Sequence, residues 1–447
     1  MIAGLGQRLS EIARRVVPDP FVLALGLTGI VLALGALNLH LDGQDGIAAR
    51  IWSGWFDGFK DPSGLTFALQ MCLILLTGHA LALSPPLQRL LEALARLPRS
   101  GAQAALLVAA TACVAGLVHW GLGAIVGALA GREIARKASG RIRLHYPLLG
   151  GAAYAGMAVW HGGLSGSAPL KVAEPGHFLE PVCGILPVSE TLFSPLNLVV
   201  SASLLVGLPL LFWALSPPAG SEQAPPAELG EPSPRPGRER GALGWLQTSP
   251  WPGIGLGGGC LVAMAIAAWH GLLGFDLNSV NLAMLACGLM LHGSLLAYVR
   301  ALGDGGRAAA AIVLQFPFYF AILGVLRNSG LVELVSQAFA QAASPGSFPV
   351  LTFLSAGLVN LFVPSGGGQW AVQGQVLLGA GAELGVQPGV TVMAFAYGDA
   401  WTNMLQPFWA LPLLGIMGLQ AKDIIGYTAV AFAAMGLLVP ALLWLLA

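Results

Sequence analysis

Four short polar stretches interrupt the long apolar segments of this chain, and each combines residue types that bind small ions. They are His119-Trp120-Gly121, Gly162 to Ser167, Val363 to Trp370, and Asp399 to Gln406. Glycine and proline interrupt helices, which frees backbone N–H and C=O groups for a ligand. Hydroxyl, amide, imidazole and carboxylate side chains accompany these breaks. The combination favours binding of a small anion and of a cation or proton that moves with it.

The stretch Val363 to Trp370 shows the physical argument most clearly. Pro364 ends a helix, three glycines follow, and a second helix is predicted to begin at Gln369. The free N–H groups of that second helix would point back toward the glycines, which is an arrangement that binds anions. Unpaired backbone groups cost several kcal/mol in lipid, so the stretch must be buried in protein or line a watery cavity. A tight loop between two membrane helices is the alternative.

The composition is that of a membrane protein. Of the 447 residues 56% are hydrophobic and only 9% are charged, whereas soluble proteins carry about 25% charged residues. The formal net charge is zero, so no nucleic-acid partner is predicted. The five cysteines are scattered singly and form no CxxC pair, which indicates neither a disulfide framework nor a cysteine metal site. No cofactor is predicted, and the lipid bilayer is the expected environment.

We predict an all-α polytopic membrane protein with inverted repeats, about nine full spans, two re-entrant hairpins and two broken helices. Residues 102–130 lie between two basic segments, and the positive-inside rule places both segments in the cytoplasm. These residues are too few for two crossings of ~20 residues each, so a re-entrant hairpin fits better than a single long helix. The other predicted hairpin is 348–380, and the broken spans are 147–172 and 390–419.

The two halves of the chain show the same order of elements: span, span, hairpin, broken span, span. Ala115-Gly116-Leu117-Val118 also matches Ala356-Gly357-Leu358-Val359, which places His119 opposite Asn360. Inverted repeats with broken helices are typical of secondary transporters. The acidic, tryptophan-containing residues 41–63 are predicted to form an interfacial loop. The predicted division is an amphipathic lead at 1–20, repeat 1 at 21–215, a cytoplasmic linker at 216–250, a linking span at 251–273 and repeat 2 at 280–447.

Asp399 is the only carboxylate that falls inside a predicted membrane segment away from its ends. An ionised, unpaired carboxylate is costly there, so we expect Asp399 to bind a cation or to take up a proton. His119 and His161 lie at two of the breaks and could relay a proton. A purely structural role remains the alternative for each of the three residues.

Several of these stretches resemble the bacterial short-chain fatty acid transporter family. The resemblance rests on Val363 to Gly368, Ala396-Tyr397-Gly398, Gln406 to Pro412 and Gly163 to Ser167. It implies uptake of short monocarboxylates such as acetoacetate and butyrate across the bacterial inner membrane, by a multi-pass protein with a cytoplasmic N-terminus. The chain is also similar to the wider ion-transporter superfamily, which implies a homodimer and an elevator motion.

The sequence departs from the pattern of that family at four positions. Histidine replaces the expected asparagine at His119 and the expected glycine at His161, Gln369 replaces histidine, and Asp399 replaces glutamate. The last change keeps a carboxylate, so a coupling role remains expected there. The changes to and from histidine weaken any proton relay carried over from the family.

The candidate site therefore has a substrate part and a coupling part, and the coupled ion is H⁺ or Na⁺. Trp120, Trp160, Trp370 and Trp401 are expected to wall a short alkyl tail. A carrier of another small anion or a dicarboxylate is the alternative, and an intramembrane serine hydrolase based on Ser165 is a remote one. The predicted substrate residues are Trp120, Gly121, Ser165, Gly166, Ser167, Pro364, Ser365, Gly366, Gly367, Gly368, Gln369, Trp370, Trp401 and Asn403. The predicted coupling residues are His119, His161, Asn360 and Asp399, with a Na⁺ site near Asn360, Ser365 and Asp399.

Overall fold

The protein is almost entirely helical. A computed structural model describes residues 4–16, 20–138, 140–177, 179–218, 220, 223, 241–273, 277–362 and 366–447. Within these ranges there is no β-strand, and one isolated bridge joins His145 to Gln223. The predicted all-α class is confirmed.

The helices fall into two sets on either side of residue 250. The first set is α1 (Leu5–Val16), α2 (Pro20–Leu41), α3 (Ile47–Phe59), α4 (Pro62–Ala82), α5 (Pro85–Arg96), α6 (Gly101–Val118), α7 (Trp120–Ala138), α8 (Tyr146–Tyr154), α9 (Ser167–Lys171), α10 (Glu180–Cys183), α11 (Pro195–Ala214) and α12 (Gly241–Thr248). The second set is α13 (Pro250–Trp269), α14 (Leu277–Leu291), α15 (Leu295–Asn328), α16 (Leu331–Gln341), α17 (Phe348–Asn360), α18 (Gly366–Glu383), α19 (Pro388–Asn403), α20 (Pro407–Met417) and α21 (Ala421–Leu446). Helix α12 occupies the last part of the predicted linker.

Several helical segments are suited to cross a membrane. Six in the described residues are long and apolar enough, or seven if the bent pair at residues 312–341 forms one span. This confirms a multi-pass membrane protein. The predicted total of nine spans is a different count, because the six segments include the hairpin arm α6 and leave out the short helix α14 and the short helices of the two broken spans. The total of nine stays a prediction.

Helices α6 and α7 form the first hairpin, as predicted. A Cβ built on Gly123 would lie 2.7 Å from the Cα of Gly116, and one on Gly127 would lie 2.8 Å from the Cβ of Ala112. These pairings show that the two arms run antiparallel in close contact. Beyond the arms, the Arg141 guanidinium donates hydrogen bonds to the carbonyls at the end of α5, so both ends of the hairpin reach the same end of the molecule.

Helices α17 and α18 form the second hairpin as predicted, but the prediction that the second helix begins at Gln369 was wrong, because Gly366, Gly367 and Gly368 belong to α18. A Cβ on Gly381, near the end of α18, would lie 3.1 Å from the ring of Phe348 at the start of α17. The chain that follows packs against the segment that carries Glu174, Glu180 and Glu190, because a Cβ on Gly389 would lie 3.2 Å from the Glu190 carbonyl carbon. The first hairpin has its ends among basic residues and the second has its ends beside this acidic segment. Entry of the two hairpins from opposite sides of the membrane stays a prediction.

The two broken spans also form where the sequence predicts them. Between α8 and α9 the chain makes two 3-10 turns, Ala155–Ala158 and Trp160–Gly162, and an irregular segment. Between α19 and α20 the helix stops after Asn403 and begins again at Pro407, with Gln406 as the N-cap residue. Proline has no N–H to donate and therefore suits a first helical position.

The prediction of an interfacial loop at residues 41–63 was wrong, because helix α3 occupies most of it. Glycines allow this helix to pack closely on α15. Gly54 and Gly58 face α15, and a Cβ on Gly54 would lie 3.0 Å from the Gly324 carbonyl oxygen. Asp61, which the sequence suggested was a loop residue, caps α4 by accepting a hydrogen bond from the Gly64 N–H at 2.9 Å.

The two halves share more of their element order than the sequence indicated. Helices α3 and α4 together correspond to the long α15, and the short α5 and α16 follow them. Ser84 precedes α5 and Ser329 ends α15, and both are buried, with 0% and 1% exposure. Each half then continues with a hairpin, a broken span and a final long helix.

The amphipathic N-terminal helix α1 packs on the last helix, α21. The Ser10 hydroxyl donates a hydrogen bond to the Asp423 carbonyl at 3.3 Å, across 413 positions of the chain. Gly6 faces the ring of Tyr427, where a Cβ would come within 2.6 Å of the Cε1 atom. The first and last helices of the chain are therefore direct neighbours.

Candidate functional site

The described parts of the four polar stretches lie close together at the breaks. Asp399 contacts His161 from the first broken span and Asn360 from the second hairpin. Trp120 reaches the same region through its hydrogen bond to Ser165. Val363, Pro364 and Ser365 lie outside the described residues, whereas Gly366, at the start of α18, is described.

Asp399 and His161 form a buried pair between the two halves of the chain. Their side chains are 1% and 0% exposed, and His161 Nε2 lies 2.9 Å from Asp399 Oδ1. The Asn403 amide donates to the same carboxylate oxygen at 3.5 Å. Asp399 Oδ2 and His161 Nδ1 have no partner among the described residues. The pair thus leaves one acceptor and one ring nitrogen for a further ligand.

Asn360, the last residue of α17, joins the second hairpin to α19. Its amide nitrogen lies 2.8 Å from the Asp399 carbonyl, 2.9 Å from the Thr402 hydroxyl and 2.8 Å from Asn403 Oδ1. The Gln406 amide donates to the Asn360 carbonyl. The side-chain oxygens of Asn360 and Gln406 are buried and lack partners in the part of the chain described. These oxygens add to the acceptors around Asp399.

Three helices begin at the breaks and bring the positive ends of their dipoles there. Helix α7 begins at Trp120, whose N–H donates to the Ser165 hydroxyl at 3.1 Å. Helix α18 begins at Gly366, where a Cβ would lie 2.7 Å from His161 Nε2 and 3.3 Å from the Ser167 hydroxyl oxygen. Helix α20 begins after Gln406. Such ends favour an anionic ligand.

Two of the four predicted tryptophans lie together in this region. The rings of Trp120 and Trp160 are 6.4 Å apart, and Trp409 lies 5.1 Å from Trp120. Sequence reasoning missed Trp409, although it belongs to the stretch Gln406 to Pro412 that carries the family resemblance. The three indoles form an aromatic wall beside the start of α7.

The other two predicted tryptophans lie elsewhere. Trp370 packs on Phe395 at 4.8 Å. Trp401 lies between Phe353 and Phe432, with ring centroids at 4.8 Å and 4.4 Å, and its N–H donates to the Phe432 carbonyl at 2.7 Å. Trp401 therefore has the contacts of a packing residue between α17, α19 and α21.

Gln369 and His119 stabilise the hairpins themselves. The Gln369 amide donates to the Ala356 carbonyl at 2.8 Å and to the Gln373 side chain at 2.9 Å, and Gln373 donates in turn to the Ser355 hydroxyl at 2.7 Å. His119 ends α6, and its Nδ1 accepts a hydrogen bond from the Gly121 N–H at 3.1 Å. Gly121, Gly166, Gly367 and Gly368 lie in the same breaks or helix starts, as predicted.

Further polar groups at the breaks had no signal in the sequence analysis. Tyr154 donates to carbonyls at the break after α19. Tyr397 donates to Asn197, whose amide donates to the Gly162 carbonyl. Among the described residues no group of three or more His, Cys, Asp or Glu side chains forms a metal cluster.

The geometry does not support a serine hydrolase. The Ser165 hydroxyl accepts the Trp120 N–H, whereas His292 pairs with the Ala80 carbonyl at 2.6 Å and packs on Tyr298. A nucleophilic serine needs a base within hydrogen-bond distance. His292 does not take that role for Ser165.

Comparison with known proteins gives consistent matches over the whole chain. The family model described as "Short chain fatty acid transporter" matches residues 1–229 and 255–446. A protein of Escherichia coli strain K12, provisionally described as a short-chain fatty acid transporter, is 38% identical over 447 residues, with 98% of each chain covered. A Haemophilus influenzae protein with the same description is 35% identical, with 97% of this chain and 98% of that protein covered.

Two solved transporter structures align over almost the full length. The YdaH transporter of Alcanivorax borkumensis is 16% identical, with a TM-score of 0.44 and coverage of 96% of this chain and 98% of that one. The antimetabolite efflux pump MtrF of Neisseria gonorrhoeae is 15% identical, with a TM-score of 0.38 and coverage of 98% and 97%.

Proposed function

The chain belongs to the short-chain fatty acid transporter family, and from that premise we propose that it is a secondary active symporter of short-chain fatty acids. Acetoacetate and butyrate are the proposed substrates, and H⁺ or Na⁺ is the proposed coupling ion. The members of this family are transporters and not enzymes, so the hydrolase alternative is set aside.

The observation that carries this proposal is the meeting of helix starts at the polar breaks. Helices α7, α18 and α20 begin there and bring the positive ends of their dipoles to the breaks, which suits one carboxylate. The hydrogen bonds of Asp399, Asn360 and Gln406 in the described residues include none to lysine or arginine. A dicarboxylate would require more positive charge, so a monocarboxylate is the better fit.

The alkyl tail is proposed to lie against the indoles of Trp120, Trp160 and Trp409. These rings lie next to the first turn of α7, with Trp120 at 6.4 Å from Trp160 and 5.1 Å from Trp409. Aromatic rings stabilise apolar groups by removing a large area from water. Trp409 takes the place of Trp401 in this proposal, because Trp401 is already packed between two phenylalanines.

The coupling ion is proposed to bind where α17 and α19 end. Helix ends of this kind present carbonyl groups that coordinate Na⁺ or accept protons in transporters. Asn360 and Asp399 contribute buried side-chain oxygens without partners among the described residues, which fits the chemistry of a hard cation. The predicted contribution of Ser365 remains part of the proposal.

The proposed cellular arrangement rests on the distribution of basic residues and on the superfamily resemblance. The chain would lie in the bacterial inner membrane with a cytoplasmic N-terminus, as the positive-inside rule indicates. The predicted homodimer and elevator motion come from the superfamily resemblance.

Uptake by purified protein in proteoliposomes would test the proposal. Labelled butyrate should accumulate above equilibrium when a pH or Na⁺ gradient is imposed, and unlabelled acetoacetate should compete. Protein-free liposomes are the necessary control, because short acids cross membranes unaided when protonated. Absence of gradient-dependent accumulation for every C3–C6 acid would overturn the proposal, and accumulation of succinate alone would favour the dicarboxylate alternative.

A further inference from the structure

Two buried tyrosines connect the broken spans of the two halves. Tyr154 is the last residue of α8, in the first broken span, and Tyr397 lies in α19, in the second. Their side chains are 1% and 4% exposed. A buried phenol hydroxyl needs a hydrogen-bond partner, because burying it unpaired loses its hydrogen bonds to water without replacement. The partners of both hydroxyls lie at breaks.

The Tyr154 hydroxyl lies in the break of the second broken span. It is 3.0 Å from the Asn403 carbonyl and 3.3 Å from the Gln406 carbonyl. Asn403 ends α19 and Gln406 caps α20. Carbonyls at a helix end have no partner inside the helix. The tyrosine from the first half therefore satisfies the interrupted backbone of the second half.

The Tyr397 hydroxyl reaches the break of the first broken span through one amide. It donates to Asn197 Oδ1 at 2.9 Å, and the Asn197 amide donates to the carbonyls of Gly162 at 2.9 Å and Leu192 at 2.6 Å. Ser201 donates to Asn197 Oδ1 as well, at 3.1 Å. Asn197 is 1% exposed and uses both its oxygen and its nitrogen. Gly162 is the last residue of the second 3-10 turn.

The two connections are reciprocal. Helix α8 begins at Tyr146 and helix α19 at Pro388, so the tyrosines lie 8 and 9 positions beyond the first residue (154 − 146 and 397 − 388). Each hydroxyl points away from its own half and toward the break in the other half. This equivalence follows from the shared element order, and no local sequence signal marks it.

Each connection also stabilises a residue of the candidate site. Gly162 follows His161, which pairs with Asp399. Asn403 and Gln406 both contact Asn360 at the second hairpin. A shift of either break would change the contacts among these side chains, although neither tyrosine touches them with its hydroxyl.

We propose that Tyr154 and Tyr397 are positioning residues that join the two broken spans into one unit. While both hydrogen-bonded connections are intact, the two breaks keep a fixed separation as the protein changes conformation. Loss of one connection loosens the break that the hydroxyl contacts, which lies in the opposite half of the chain. Loss of both lets the two broken spans move independently.

Hydrogen–deuterium exchange of the purified full-length protein in nanodiscs would test this crossed effect. The N–H groups of Gly162, Gly163 and Gly166 report on the first break, and those of Met404, Leu405 and Gln406 on the second, since all are bonded within their own break. Tyr154→Phe should raise exchange about 5- to 10-fold at 404–406 and leave 162–166 unchanged. Tyr397→Phe should do the reverse.

Tyr146→Phe is a matched control. Tyr146 lies in α8, is 1% exposed, and donates to the Met417 carbonyl at the end of α20 at 2.8 Å. It joins the same two spans but away from the breaks. This variant should lower the melting temperature as the other two do, without a change in exchange at either break.

Asn197→Asp offers an independent route to the first break if a tyrosine variant folds poorly. It keeps the acceptor for Tyr397 but loses the donors to Gly162 and Leu192. Exchange should then rise at 162–166, as it does for Tyr397→Phe. Exchange that rises uniformly, or only within the mutated span, in both tyrosine variants would overturn the proposal.

Butyrate uptake gives a second measurement, which rests on the proposed function. Each single variant should raise the half-saturation concentration about 5- to 10-fold with a smaller change in maximal rate. The double variant should exceed the product of the single effects, because either connection alone still joins the spans. A crossed exchange pattern without butyrate uptake would refute only the substrate assignment. If the effect of the double variant on uptake equals the product of the two single effects, the proposal that the two broken spans form one unit would be contradicted.

Discussion

The two hairpin tips are built differently, although both end at the same group of breaks. The first tip is a single residue, His119, between α6 and α7, and the arms approach until backbone meets backbone at Gly116 and Gly123. Backbone donors fix this tip, since the Trp120 N–H bonds to Ser165 and the Leu164 N–H bonds to the Leu117 carbonyl. The close packing and these hydrogen bonds restrain the two arms from separating.

The second hairpin is described up to Phe362 in its first arm and from Gly366 in its second. Its arms are joined through side-chain amides, with Gln369 bonded to Ala356 and Gln373 bonded to Ser355. The start of α18 lies over the His161–Asp399 pair. Side-chain bonds exchange partners more easily than packed backbone, so the second hairpin is the better candidate for the part that opens over a ligand.

Replacing the carboxylate beneath the second tip should have the largest effect. Asp399→Asn removes the only carboxylate of this region, so gradient-driven butyrate accumulation should be lost while butyrate exchange partly persists. Asp57→Asn, which removes an exposed carboxylate of α3, is the control and should retain accumulation. Both are measured in proteoliposomes. If the Asp399→Asn variant accumulates butyrate normally, coupling to the ion gradient does not depend on the carboxylate below the second tip.

Labelling of a cysteine introduced at the end of each hairpin should show, as an all-or-none result, from which side of the membrane that hairpin enters. In a background without the five native cysteines, Lys137→Cys marks the end of the first hairpin and Glu383→Cys the end of the second. An impermeant maleimide applied to intact cells should label only the second variant, because the basic segments lie in the cytoplasm. Labelling of both from the outside would show that the hairpins do not enter from opposite sides.

Adding one methyl group should distinguish the packing of the two hairpins. Gly123→Ala places a Cβ 2.7 Å from Gly116 Cα, which should destabilise the protein by about 1–3 kcal/mol through overpacking. Gly379→Ala, on α18, meets nothing within 4 Å and should be neutral or stabilise by up to about 1 kcal/mol, since alanine favours helices. Thermal unfolding of the purified variants measures both. Equal losses would mean that the second hairpin is packed as tightly as the first.

The smallest effect is expected for a single hydroxyl at the first tip. Ser165→Ala leaves the Trp120 N–H without its acceptor, which should cost about 1 kcal/mol and lower the melting temperature slightly. Ser201→Ala is a comparable control, because it removes a hydroxyl that bonds to Asn197 and not to the tip. A melting temperature that falls only in the control would contradict the role assigned to Ser165.

The sequence predicted the hairpins and breaks because their signals are local. Glycine, proline and flanking basic residues mark where a membrane helix must stop, and all four breaks follow from them. The pairing of His161 with Asp399 joins residues 238 positions apart, and no local pattern encodes such a distance. The pairing is visible only after the two halves pack.

The orientation of the tryptophans shows a second limit of prediction from the sequence. Membrane helices are apolar all round, so hydrophobic periodicity does not indicate which face points inward. Trp401 was expected at the site but packs on Phe432, whereas Trp409 was missed and lies beside Trp120. The reciprocal tyrosines were not predicted for the same reason, since their contacts depend on how each helix is rotated about its own axis.

The contact between α1 and α21 has a consequence for how the protein is made. Ribosomes deliver the N-terminal helix first, yet its partner Asp423 follows 413 residues later. At a synthesis rate of roughly 5–20 residues per second, α1 waits on the order of 20–80 seconds before it can dock. During that interval its apolar face must rest on the membrane surface or on another protein. Docking of α1 therefore requires that α21 has already been made and inserted.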